Sequence, residues 1–135
     1  MNYLILVAMT ITGFLIGTQA INCYTCKEYI ITVPSGQTIE ELCQDADITP
    51  CRGDADHCVA TSSTLTQMID GLAYVTDSVH RNCATSAELE DEDRQDCSDF
   101  ERNINESFPE GTPFSCEEQI CESDACNTLG RERFQ

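Results

Sequence analysis

Cys116-Glu-Glu-Gln-Ile-Cys121-Glu-Ser-Asp-Ala-Cys126-Asn127 closes a run of ten cysteines that opens with Cys23-Tyr-Thr-Cys26. The opening pair follows a stretch with no charged side chain, residues 1–20. Leu4 to Ile16 is almost wholly apolar, and Thr18-Gln19-Ala20 has the small-x-small form of a cleavage site. This reads as a signal peptide. The apolar run is shorter than the ~20 residues a spanning helix needs. An even cysteine count in a small exported chain implies a disulfide framework.

The expected mature chain is residues 21–135, with one domain over 21–127 and a short polar tail over 128–135. A lipid-anchor signal would place a hydrophobic segment of ~10–20 residues at the end. Thr128-Leu-Gly-Arg-Glu-Arg-Phe-Gln135 offers none, so the expectation is a freely secreted protein with no membrane anchor. Asn105-Glu106-Ser107 is a glycosylation sequon and suits a surface loop.

Composition argues for cross-links over a packed core. Outside residues 1–20 and apart from the cysteines, apolar side chains are too sparse for a large hydrophobic interior. Small domains of this kind depend on disulfides, each worth ~2–4 kcal/mol. The formal net charge is −17, with 7 basic against 24 acidic side chains. Nucleic-acid binding needs a cationic footprint and is excluded. A partner with a basic surface is favoured, mainly through faster encounter.

The strongest local signal lies between Cys58 and Cys83. Residues 58–65 and 72–80 are rich in β-branched and small side chains, and Asp70-Gly71 between them tolerates positive φ at both positions. The pattern predicts one long hairpin with a cysteine at each end of its base. An earlier strand pair is expected over 21–26 and 28–33, ended by the turn signal Pro34-Ser-Gly36. Thr85-Ser-Ala-Glu88 has the form of a capping box and predicts a short helix within residues 85–95. Residues 97–116, with Phe100, Phe108, Pro109, Pro113 and Phe114, read as a mostly irregular loop.

Ten cysteines allow about 945 pairings, so counting alone leaves connectivity open. Asn22-Cys-Tyr-Thr-Cys26, the gap from Cys51 to Cys58, the long hairpin to Cys83 and the closing Cys121-x-x-x-x-Cys126-Asn127 together resemble the three-finger fold. More narrowly, they resemble the lymphocyte-antigen and urokinase-receptor superfamily, relatives of snake three-finger toxins. The resemblance covers the chain up to Asn127. It implies a small disulfide-rich all-β fold with a disulfide knot and three β-loops. It also implies the pairs Cys23–Cys58, Cys26–Cys43, Cys51–Cys83, Cys97–Cys116 and Cys121–Cys126, and a structural Asn127 that ties the chain end to the palm through its side chain. The chain departs from the pattern in two intervals: residues 117–120 separate cysteines that are often adjacent, and the Cys26–Cys43 interval is long. Both fit loop insertions, which cost little entropy.

Arg52-Gly53-Asp54 is an integrin-binding tripeptide in sequence. It sits between Cys51 and Cys58, where the framework puts it near the palm, whereas integrin ligands carry it on a projecting loop; a turn is the plainer reading. His57 and His80 are the only histidines, and no catalytic or zinc motif accompanies them. The acidic pairs at 45/47 and 54/56 and the run at 88–96 lack the spaced Asp-x-Asp-x-Asp-Gly calcium loop and read as solvated charge. No cofactor is implied.

The surface candidates are Met68, Ile69, Asp70, Gly71 and Leu72 at the hairpin tip. Apolar residues at such a tip have no core to fill, and the toxin-like relatives bind receptors with the central finger. The expected function is therefore non-enzymatic binding of an extracellular receptor or ion channel. Alternatives are inhibition of a secreted hydrolase such as a phospholipase, and an abundant acidic pheromone-like or reproductive secretory protein.

Overall fold

The computed structural model describes residues 20–134; the expected signal peptide falls almost wholly outside them. The chain is a small, mostly β protein with five disulfides. Its strands are β1 (Asn22–Tyr24), β2 (Cys26–Thr32), β3 (Thr38–Glu41), β4 (Ile48–Pro50), β5 (His57–Ile69), β6 (Leu72–Ala84) and β7 (Phe114–Cys121). Two helices, α1 (Ser86–Glu90) and α2 (Cys97–Ser107), lie between β6 and β7. Five strands form one antiparallel sheet in the order β3-β2-β6-β5-β7, and β1 pairs with β4 in a separate two-stranded sheet.

The hairpin is longer than its sequence signal: β5 and β6 have 13 residues each and run without a break from the Cys58↔Cys83 pair to Ile69↔Leu72. Asp70 (φ 52°) and Gly71 (φ 78°) make the turn. Two successive positive φ angles match the right-handed twist of the flanking strands, and only residues such as Asp and Gly adopt them at low cost. The capping box is present at α1. Thr85 Oγ1 accepts from the Glu88 amide at 3.1 Å, and the Thr85 amide donates to Glu88 Oε2 at 2.7 Å.

Two expectations are corrected. The first strand pair does not form: β1 pairs with β4, and β2 pairs with β3 and β6. The chain changes sheets at Thr25, whose amide donates to the Asp47 carbonyl at 3.0 Å and whose hydroxyl lies 2.8 Å from that of Thr49. The irregular reading of residues 97–116 also fails, because α2 fills 11 of them. Asp96 caps it, accepting from the amides of Ser98 at 2.8 Å and Asp99 at 3.2 Å. Cys97, Phe100 and Ile104 recur at helical spacing. One member of that stripe is a cysteine, which hides the period from a hydrophobicity reading. Asn105 is consequently exposed on the last turn of a helix and not in a loop.

The disulfides are Cys23–Cys58, Cys26–Cys43, Cys51–Cys83, Cys97–Cys116 and Cys121–Cys126, with no free cysteine. These are the pairs the family resemblance implies. The first, third and fifth gather into one buried cluster with Ile21 and Ala55 at its margin. Half of the buried apolar residues are cysteines; the others are Tyr24, Ala60, Val79 and Ala84.

A polar network completes this interior. Asn127 is fully buried. Its Oδ1 accepts from the Tyr24 amide at 3.1 Å, and its Nδ2 donates to the carbonyls of Tyr24 at 2.9 Å and Val59 at 3.1 Å. The Asn127 carbonyl accepts from Arg81 Nη1 at 2.6 Å, while Arg81 Nη2 meets Glu28 Oε2 at 3.1 Å. Glu28 Oε1 accepts from the Cys43 amide at 3.2 Å. Beyond Asn127, Arg131 stacks over the Tyr24 ring at 4.7 Å and donates to its hydroxyl.

Replacing Asn127 with Ala leaves two backbone groups of β1 and one of β5 buried without partners. Each unmade bond of this kind costs ~1–3 kcal/mol. Denaturant unfolding of Asn127→Ala with disulfides intact should show a loss of at least ~2 kcal/mol; an unchanged midpoint would refute the assigned role.

Candidate protein-binding surface

The far end of the hairpin carries exposed apolar side chains: Met68 is 64 % exposed, Ile69 50 % and Leu72 51 %. Ile69 and Leu72 are directly paired and share one face, while Met68 pairs with Ala73 on the other. The tip is therefore apolar on both sides of the ribbon. Exposed Asp70 and Gly71 cap it.

This end of β5 has a second neighbour. β7 begins at Phe114, opposite Leu65, so the last residues of β5 have no strand beside them on that edge. Residues 108–113 stand there instead, held where the Thr66 amide donates to the Pro113 carbonyl at 3.0 Å. The segment is folded on itself. Thr112 donates from its amide at 3.1 Å and from its hydroxyl at 2.6 Å to the Pro109 carbonyl, and Gly111 (φ 82°) permits the tight reversal. Met68, Ile69, Phe108, Pro109 and Pro113 line the resulting groove of about 250 Å³, with Glu110 at its border. Hairpin tip and third loop form one surface. The sequence placed the tip on a hairpin, but its meeting with Phe108 depends on the β5–β7 ladder, its Thr66–Pro113 hydrogen bond and the Cys97–Cys116 bond, long-range contacts with no local signal.

The other sequence candidates lie at the opposite end. Arg52, Gly53 and Asp54 are exposed on the turn between β4 and β5, beside the Cys51–Cys83 bond. Gly53 (φ 66°) makes the turn, and nothing crowds its α-carbon. The acidic run at 88–96 also borders the disulfide end, where Leu89, Asp91 and Asp93 line a cleft with Val59 and Asn82. Its one arginine, Arg94, pairs with Glu118 of β7.

His57 lies between two carboxylates, Nδ1 2.6 Å from Asp56 and Nε2 2.9 Å from Glu122. When protonated, the imidazolium can donate from both ring nitrogens to these carboxylates. The Asp56 contact above all raises the His57 pKa from 6.5, with Glu122 adding to it. The same hydrogen bond, with a second from Ser86, lowers Asp56 from 3.8. Ser86 bonds Asp56 at 2.9 Å and makes no bond to the imidazole, so Asp56, His57 and Ser86 do not form a nucleophile–base pair. The arrangement is a clamp tying the start of β5 to the loop after β7. The sulfur atoms of Cys23, Cys51 and Cys83 lie close together, as do those of Cys26 and Cys43 beside Asp47. All five cysteines are in disulfides and offer no thiolate for a metal.

Comparison with protein-family models, with curated proteins and with solved structures gives no match to this chain.

The two histidines should titrate on opposite sides of 6.5. Burial and Lys27 lower His80, whereas the two carboxylates raise His57. The stabilisation from His57 is thus complete below its unfolded value and fades as pH rises through the higher folded one. That from Asp56 is present above its unfolded value and is lost as pH falls through the lowered one. A proton-NMR titration should show His57 deprotonating last, and Glu122→Gln should move its midpoint down. Coincident midpoints would contradict the clamp.

Proposed function

We propose that this chain is a secreted three-finger protein of the lymphocyte-antigen and urokinase-receptor type that binds an extracellular protein, a receptor or ion channel, through the surface formed by the hairpin tip and the 108–113 loop. The observation that carries the reading is the exposure of Met68, Ile69 and Leu72 on a hairpin whose base is cross-linked at Cys58 and Cys83. A tip fixed at its root loses little conformational freedom on docking. Large apolar side chains at an exposed turn favour association wherever a partner covers them. Ten paired cysteines suit an oxidising compartment. Among the described residues, no helix is long and apolar enough to cross a membrane.

Charge and contact are separated in space. The acids at 88–96 lie by the disulfide end and the apolar tip at the other. The net charge of −17 acts at long range and draws a basic partner surface, while the tip supplies the short-range contacts.

Affinity capture from extracellular fluid with the immobilised domain, compared with a Met68→Ser/Ile69→Ser variant, tests the reading. A specific partner should be retained by the parent and held more weakly by the variant by at least ~1–2 kcal/mol, with unchanged circular dichroism. Neutralising Glu90, Glu92 and Asp93, which cap no helix, should slow association and flatten its salt dependence, leaving dissociation nearly unchanged. A partner that binds the serine variant as tightly as the parent would remove the tip from the interface. Recovery of a hydrolase whose activity is inhibited would favour the inhibitor reading over a receptor or channel.

A further inference from the structure

The face of the large sheet beneath α2 carries a second concavity, distinct from the tip groove. Lys27, His80 and Thr61 are cross-strand neighbours in one row; Tyr29, Ser78, Ser63 and Cys116 form the next. Thr61, Ser63 and Ser78 in these rows are short, which leaves a trough along β5 and β6 with the His80 ring at one end. Ser63 and Ser78 satisfy one another across its floor, with their hydroxyls 2.9 Å apart. Cys116 bonds Cys97 at the start of α2, and this cross-link hangs Phe100, three residues on, over the trough. The open trough holds about 370 Å³, bordered by Tyr29 and Phe100 and, at one end, by Lys27 and His80. That volume is within the range of small-ligand sites.

The charge at that end is unusual for this chain. Lys27 is the only lysine, and it directly faces His80. No carboxylate pairs with Lys27 among the described residues: Glu41, opposite Tyr29 on the same face, forms no ion pair with it, and two others in the ladders are engaged elsewhere. Glu28 lies on the opposite face of the sheet, paired with Arg81, and Glu118, in the same row as Lys27, is held by Arg94. An acidic protein therefore presents an uncompensated cation at the mouth of an aromatic-walled trough.

We propose that this trough binds a small amphipathic monocarboxylate, with its apolar body between Tyr29 and Phe100 and its carboxylate on Lys27 and the His80 ring. A carboxylate answers the unpaired ammonium, and an apolar chain or ring suits two aromatic walls over a floor whose hydroxyls are already bonded to each other. The net charge of −17 disfavours polyanions, so a single negative charge fits best.

Octanoate, 1-octanol and octylammonium are suitable probes, titrated into the intact, disulfide-bonded protein and followed by the His80 and Phe100 ring resonances. Octanoate should give saturable shifts at both rings with Kd below ~1 mM; octanol should bind ~10-fold more weakly and octylammonium not at all. Lys27→Gln should weaken octanoate ~10-fold, towards the octanol value, and Phe100→Ala should weaken octanoate and octanol alike. Arg52→Gln, which removes an exposed cation outside the trough, should change nothing. Both Lys27 and Phe100 are exposed, so these variants keep the fold. The proposal is overturned if octanoate leaves the His80 ring unshifted, if Lys27→Gln binds octanoate like the parent, or if the shifts fall on Met68 and Phe108 instead.

Discussion

Three disulfides meeting at one end of the sheet are the constraint on which the rest of this structure depends. Cys23–Cys58, Cys51–Cys83 and Cys121–Cys126 join β1, the start of β5, the end of β6 and the chain past β7 in one buried cluster. Where another domain of this size would bury leucines and phenylalanines, this one buries sulfur, a tyrosine, a valine and two alanines. Cross-links of this kind act largely by restricting the unfolded chain, so they relieve the folded state of the need for a large apolar interior. Most of the polar groups enclosed beside them are paired, the Arg81 Nε being the exception. A buried Arg–Glu pair is costly to bring out of water unless its remaining donors and acceptors are met. Here Glu28 also takes the Cys43 amide, and Arg81 also reaches the Asn127 carbonyl.

That concentration of order leaves the distal half of the sheet free of structural duty. β5 and β6 continue past the cluster to Ile69 and Leu72, whose side chains cover no interior. The stiffness needed for recognition comes from the ladder and the cross-linked base. The insertion between β6 and β7 adds the remaining surfaces. Its helix α2, fixed by Cys97–Cys116, roofs the trough over β5 and β6, and its last residues flank the hairpin tip. One disulfide thus positions both concavities.

What was legible in the sequence was local or fixed by cysteine order. Asp-Gly between two β-branched runs gave the turn, and Thr85 with Glu88 gave the cap of α1. The family pattern supplied the five pairs now seen. The misread parts depend on distant partners. Nothing within residues 21–33 shows that Thr25 is drawn to Asp47 and Thr49, which moves β1 into another sheet. In α2 the capping Asp96 reads only as part of an acidic run, and a three-member apolar stripe containing a cysteine is too short to outweigh the surrounding charge. Of the candidate surfaces, the tip was readable; its union with Phe108 and the trough beneath Phe100 were not, since both arise where separate elements meet.

Disulfide mapping of the non-reduced protein by proteolysis and mass spectrometry tests the account most directly. The account predicts a Cys97–Cys116 peptide pair separable from the rest, Cys121–Cys126 as a small local ring, and, with the chain cut between every cysteine, separate Cys23–Cys58, Cys26–Cys43 and Cys51–Cys83 peptide pairs. Cys116 bonded to Cys121 or Cys126, or any substantial free thiol, would contradict it, because α2 would lose its anchor and the cluster its third bond.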